Sequence, residues 1–124
     1  MSTEGFVRDH WLSIEALDMD KFLSFFAVDC TMGFASYPLV HGLEGVRAMI
    51  GPVFAGVAGM RHQRMGLWVD DDATVARGEV TDTRHDKSTV TIPFMTHFVL
   101  AEGRIRSTRV CIDVAPLYAA SPAA

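Results

Sequence analysis

From Gly59 onward the chain consists of four long runs rich in Val, Thr, Ile and Phe, at about Arg61 to Val69, Thr74 to Arg84, Thr89 to Leu100 and Arg104 to Val114. Only short polar breaks separate them, at Asp70-Asp71-Asp72, His85-Asp86-Lys87 and Glu102-Gly103. β-Branched and aromatic side chains suit a pleated, half-buried surface, and breaks this short leave room only for hairpin turns. The second half therefore reads as an antiparallel meander whose strands reach or exceed the usual length of about 5–6 residues.

The first half has a different period. Phe6, Val7, Trp11, Ile14 and Leu17 follow the three-to-four spacing of a helix with one buried stripe, and Ser2 or Thr3 is placed to cap its start. Asp18-Met19-Asp20 interrupts, after which Phe22, Leu23, Phe25 and Phe26 begin a second, shorter helix with Asp18 or Asp20 as its N-cap. Cys30 to Tyr37 mixes β-formers with small residues, and Pro38 and Gly42 mark a turn. Leu43, Val46, Met49, Ile50 and Val53 then resume helical spacing, with Gly51-Pro52 expected to end or kink this third helix. Helices followed by a meander make an α+β chain. Long strands covered by one helical layer must curl around it, which leaves a concave, mostly apolar pocket suited to a small ligand. No repeat or linker divides residues 1–124, so they read as one domain, with a mobile tail over residues 117–124.

Composition narrows the partners. Lys and Arg number 11 against 15 Asp and Glu, giving a formal net charge of −4, and the basic residues are scattered. Such a surface does not collect phosphates, so nucleic acid is not an expected partner. The 49% hydrophobic content supports a real core. No run approaches the roughly 20 apolar residues of a membrane span. Glu4, Arg8 and Asp9 interrupt any apolar signal at the N-terminus, so the expected setting is the cytoplasm without membrane contact. Cys30 and Cys111 are too few for a disulfide scaffold and read as buried small apolar residues.

Order and spacing together carry a resemblance. A helix, Asp-Met-Asp and a helix precede Phe26-Ala27-Val28-Asp29-Cys30-Thr31-Met32 and Val40-His41-Gly42-Leu43-Glu44-Gly45-Val46. The strands then bring Met60-Arg61-His62, Trp68, Gly103-Arg104-Ile105 and Asp113 before Pro116-Leu117. Over nearly its whole length the chain resembles the nuclear transport factor 2-like superfamily, in particular its SnoaL-like members. The resemblance implies a cone: a curved antiparallel sheet of about four long strands plus a short one, packed against three N-terminal helices and usually dimeric through the outer sheet face. It leaves activity open, because the fold hosts polyketide cyclases, ketosteroid isomerases, dehydratases, epoxide hydrolases and non-enzymatic binders. The general-base position of ketosteroid isomerases falls at Phe34, which cannot accept a proton. The acid/base position of SnoaL-type cyclases falls at Val110; Asp113 is offset by an odd number of residues and points to the other face unless a bulge intervenes. Scytalone-dehydratase-like relatives offer a closer local match in His62, Gly66 and Trp68. The resemblance gives His62 the removal of a proton beside a carbonyl as water leaves, with His97 standing in for the second histidine of those relatives.

A histidine titrates near 6.5, so it can take and give a proton near neutrality. His62 and His97 lie in strands expected to line the cavity and are the candidate catalytic pair; the alternative for each is a core histidine satisfied by backbone or by Asp113. His85 falls in a hairpin turn and His41 in a helix-opening turn, and His10, beside Trp11, reads as a surface histidine, the alternative being a place at the cavity mouth. Tyr37 is a candidate to polarise a substrate carbonyl, or a rim residue. Trp11, Phe34, Trp68 and Phe98 are candidate substrate contacts, with Met49, Phe54 and Phe94 as further walls. Asp113 is a further candidate contact, although Arg109, Cys111 and Asp113 share the parity of a polar outer face opposite Val110, Ile112 and Val114. No metal-ligand spacing, phosphate loop, dinucleotide fingerprint or local nucleophile triad occurs, so neither metal nor cofactor is expected. The leading expectation is a cofactor-independent dehydratase, isomerase or cyclase acting on a small hydrophobic cyclic carbonyl compound. The alternative is a non-catalytic module of the same fold that binds a small molecule or dimerises.

Overall fold

The structure, a computed structural model, describes residues 2–119. Helix α1 (Thr3–Glu15) begins where the Ser2 hydroxyl accepts the Gly5 backbone N–H, satisfying one of the first-turn donors. Asp18 caps α2 (Met19–Leu23) in the same way through the Lys21 N–H. Strand β1 (Phe26–Phe34) and the two-residue β2 (Val40–His41) lead into α3 (Gly42–Ala55). Of the two outcomes expected at Gly51-Pro52, an end to the helix is ruled out: Pro52 lies inside α3, which runs on to Ala55. Ala48, whose carbonyl loses its partner at a proline four residues on, is solvent-exposed, so water replaces that bond.

Strands β3 (Gly59–Asp70), β4 (Ala73–Thr83), β5 (Thr89–Ala101) and β6 (Arg104–Ile112) form the meander, each with ends within two residues of the sequence expectation. The sheet order is β2-β1-β6-β5-β4-β3, and β1 pairs with β6 in parallel. The curved, unclosed sheet thus has six strands, because the chain before α3 adds two to the edge of the meander. A bulge in β3 helps it curve: Arg64 opposes Gly78 and Gly66 opposes Arg77, leaving Met65 without a partner. At this point a side chain on Gly78 would collide with the Gln63 carbonyl oxygen, so the close approach needs glycine.

Alternation along β4 and β5 buries Ala76, Val80, Ile92, Phe94 and Phe98 on the concave face. The helices supply Phe6, Val7, Trp11, Phe22, Val46, Ile50 and Phe54 to the same core. The outer face leaves Met65, Trp68 and Met95 exposed. Cys30 is buried, but Cys111 is exposed because its strand parity is that of Arg109.

The expected mobile tail begins instead as a short helix, α4 (Ala115–Tyr118). Arg84 Nε donates to the Leu117 carbonyl at 3.0 Å and Nη2 to the Pro116 carbonyl at 2.8 Å, while Asp113 accepts the Ala115 N–H at 3.0 Å. Leu117 is buried. The rest of that expected tail, residues 120–124, lies outside the described residues. Among the described residues no helix is long and apolar enough to cross a membrane.

Candidate active site

Between the concave sheet face and the helices lies a cavity of about 80 Å³, enough for several water molecules. Its walls are mostly apolar, with Phe34, Phe54, Phe94 and Phe98 among them. Tyr118 lines it while remaining 58% exposed, which marks the mouth at α4.

His62 reaches this cavity from β3 through simple alternation, since Arg61 and Gln63 on either side are exposed. Its backbone N–H donates to Glu15 Oε2 at 2.7 Å, and its ring Nδ1 lies 3.1 Å from the same oxygen. Trp11 stacks on the imidazole at 5.2 Å and 17°, and Phe94 meets it edge-on at 5.7 Å. A carboxylate facing Nδ1 fixes the tautomer that carries its proton there. Nε2 is then the basic nitrogen, and it has no hydrogen-bond partner among the described residues. Burial pulls the His62 pKa below its ordinary value, while the hydrogen bond and charge of Glu15 oppose that shift. The ring is therefore neutral at neutral pH, and Glu15 stabilises the imidazolium that forms once it takes a proton.

Among the described residues, three buried polar atoms lack partners: His10 Nδ1, Asp82 Oδ1 and Thr108 Oγ1. All three residues line this cavity. Leaving such an atom unpaired costs about 1–3 kcal/mol, so a cluster of them around one space indicates an occupant that is polar in places. His10 sits against Phe22, Phe25, Phe26 and Phe98, with ring centres 5.2–5.8 Å away. Burial among them pulls its pKa down to about 3. Asp82 occupies an inward position of β4, where burial pushes its pKa up to about 6 against the opposing charge of Arg84. Among the described residues, no three His, Cys, Asp or Glu side chains converge where a metal ion could sit.

The model of the SnoaL-like domain matches residues 7–108 of this chain. The chain belongs to the SnoaL-like family. Solved structures agree on the fold. A nuclear transport factor 2-like protein of unknown function from Burkholderia pseudomallei superposes with a TM-score of 0.83 at 21% identity, covering 99% of this chain and 100% of that one. TerC, co-crystallised with polyporic acid, gives 0.79 at 16% identity over 92% and 93% of the two chains. A Jannaschia protein provisionally assigned as a SnoaL-like polyketide cyclase gives 0.75 at 19% identity over 97% and 94%. No curated protein matches the chain.

Within this SnoaL-like cavity, Trp11, Phe34, Phe98 and His62 line the walls, as expected from their positions. Four other expected contacts lie elsewhere. His97 is exposed on the outer face, because Thr96 and Phe98 take the inward positions of β5. Trp68 is 54% exposed: the extra residue at the β3 bulge shifts parity, so that Leu67 packs on the core instead. Tyr37 is exposed beyond the cavity wall, where it stacks on Phe34 at 6.3 Å. Asp113 is exposed and caps α4, as its outward parity dictates. His10, expected at the surface, is buried one turn after Phe6 on the inner stripe of α1. The sequence reading also missed Glu15, Asp82, Thr108 and Tyr118. Asp82 shares the inward parity of Ala76 and Val80, and Glu15 follows Trp11 by one helical turn; these were the available signals.

Proposed function

We propose that this SnoaL-like protein is a cofactor-independent acid/base enzyme, a dehydratase, isomerase or cyclase, acting on a small hydrophobic cyclic carbonyl compound held in the cavity. The observation that carries this reading is the His62–Glu15 pair, which presents a neutral imidazole to an apolar cavity with its basic nitrogen unengaged. In the proposed step Nε2 takes a proton from the carbon beside the carbonyl, and Glu15 holds the imidazolium until the proton is returned or passed on. Asp82 supports the reading as a second titratable group on the same wall. Its register partner is Met60 and that of His62 is Val80, a diagonal that sets the two side chains about 7–8 Å apart.

The test is hydrogen–deuterium exchange at the carbon next to the carbonyl of 2-tetralone in heavy water, followed by NMR. The wild-type protein is expected to accelerate exchange, and His62→Gln to lose about 10²- to 10⁴-fold of that acceleration. The reacting form is the neutral imidazole, so the rate should fall as pH drops through a value below 6.5. Binding of the ketone without any accelerated exchange would assign the protein to the alternative, a non-catalytic ligand-binding module. The proposal also includes a homodimer formed through the outer sheet face, supported by the exposed Met65, Trp68 and Met95.

A further inference from the structure

The end of the cavity farthest from Tyr118 is lined by two of the three residues that carry an unpartnered polar atom. Thr108 on β6 is opposite Phe98 on β5 and Met32 on β1, and the ring of His10 meets Phe98 edge-on at 5.8 Å. Asp82, by contrast, pairs in register with Met60 and Val90, toward the end where α4 packs. His10 and Thr108 are each 4% exposed, and both His10 Nδ1 and Thr108 Oγ1 lack hydrogen-bond partners. An apolar residue at either place would complete the aromatic cluster without the cost of an unpaired buried group.

We infer that His10 and Thr108 form a subsite for a neutral hydroxyl group on the ligand, at the end of the molecule that enters first. A hydroxyl both donates and accepts, which matches a neutral imidazole nitrogen and a threonine hydroxyl. An anionic oxygen is disfavoured because nothing at this end carries positive charge. His10 is held neutral by its surroundings, and the titratable group facing it is His62, which is neutral as well. The ligand class sharpens from a cyclic carbonyl compound to a hydroxylated one, with its carbonyl nearer the mouth and His62 between the two oxygens. The inference thus rests on the proposed reading of the cavity as a ligand site, but its test reads binding alone.

Isothermal titration calorimetry would compare 2-tetralone with 6-hydroxy-2-tetralone. The hydroxyl is expected to tighten binding to the wild-type protein by about tenfold, the effect of one net hydrogen bond. That gain should vanish in Thr108→Val, which preserves shape, and in His10→Phe, and should persist in His97→Gln on the outer face. It should also stay constant between about pH 7 and pH 8, where His10 and His62 are both neutral. If His10→Phe fails to fold, Thr108→Val decides. A wild-type gain below about twofold, a gain surviving Thr108→Val, or no binding of either ketone would overturn the subsite. Exchange at the carbon beside the carbonyl is scored separately. An intact hydroxyl gain with no accelerated exchange sinks the His62 chemistry and leaves the subsite standing, and the reverse result does the opposite.

Discussion

His10 and Asp82 are both buried, and they tilt the pH dependence of stability in opposite directions. The unfolded chain binds a proton at His10 below its ordinary value of 6.5, whereas the folded chain resists until about pH 3, so stability attributable to His10 is lost as pH falls through that window. The folded chain keeps a proton on Asp82 up to about pH 6, while the unfolded chain gives it up near 3.8, so stability falls as pH rises between those values. Between about pH 4 and 6 the two effects oppose each other and the wild-type curve should be shallow. Single substitutions separate them. His10→Phe should raise Tm more at about pH 4.5 than at about pH 7.5, and Asp82→Asn should raise it at about pH 7.5 by roughly 2–6 °C and hardly at all at about pH 3.5. Thermal unfolding across pH checks both, and parallel curves for the three proteins would contradict the assignment.

Among the elements, α4 shows how a short segment is held by distant groups. A four-residue helix has too few backbone bonds to stand alone, and Arg84 supplies what it lacks by bonding two of its carbonyls while its Nη1 donates to Ser88 Oγ at 3.0 Å. Arg84→Ala should therefore free α4 before it disturbs the sheet. Hydrogen exchange is the measurement: protection at the amides of Leu117 and Ala119 should fall by more than about tenfold while that of the β4–β5 ladder holds. Equal loss in both would mean that Arg84 supports the sheet itself. The same contrast explains which elements the sequence disclosed. β3 to β6 could be read because polar breaks and β-branched runs are local signals, and α1 because its stripe repeats over several turns. The parallel partnership of β1 with β6 and the latch on α4 depend on contacts distant along the chain. The β3 bulge misled the reading of Trp68, since one unpaired residue reverses every inward and outward assignment after it.

For the whole molecule, the outer sheet face carries the proposed self-association. The wild-type protein should sediment at twice the chain mass at micromolar concentration, and Met65→Lys with Met95→Lys should shift it to a single chain. A wild-type protein already at one chain mass would remove the dimer from the proposal. The cavity itself was only half legible in the sequence. His62 could be picked out by residue type and strand, but its partner Glu15 lies 47 residues away on another element. His10 and Asp82 were hidden because polar residues in an apolar stripe look like errors of pattern until the stripe is seen to face a void. The pairing of His62 with Glu15 also has a consequence for traffic. A groove on the outside, bordered by Glu4, Arg8, Leu12 and Arg64, reaches both Glu15 and His62, and the Glu15 side chain is 25% exposed there. The proposed ligand would enter past Tyr118, which lines the cavity but not that groove. Bulk water and the proposed ligand therefore meet the same imidazole from separate directions, water at Nδ1 through Glu15 and ligand at Nε2, so the proton on Nδ1 can exchange with solvent while the ligand stays in place.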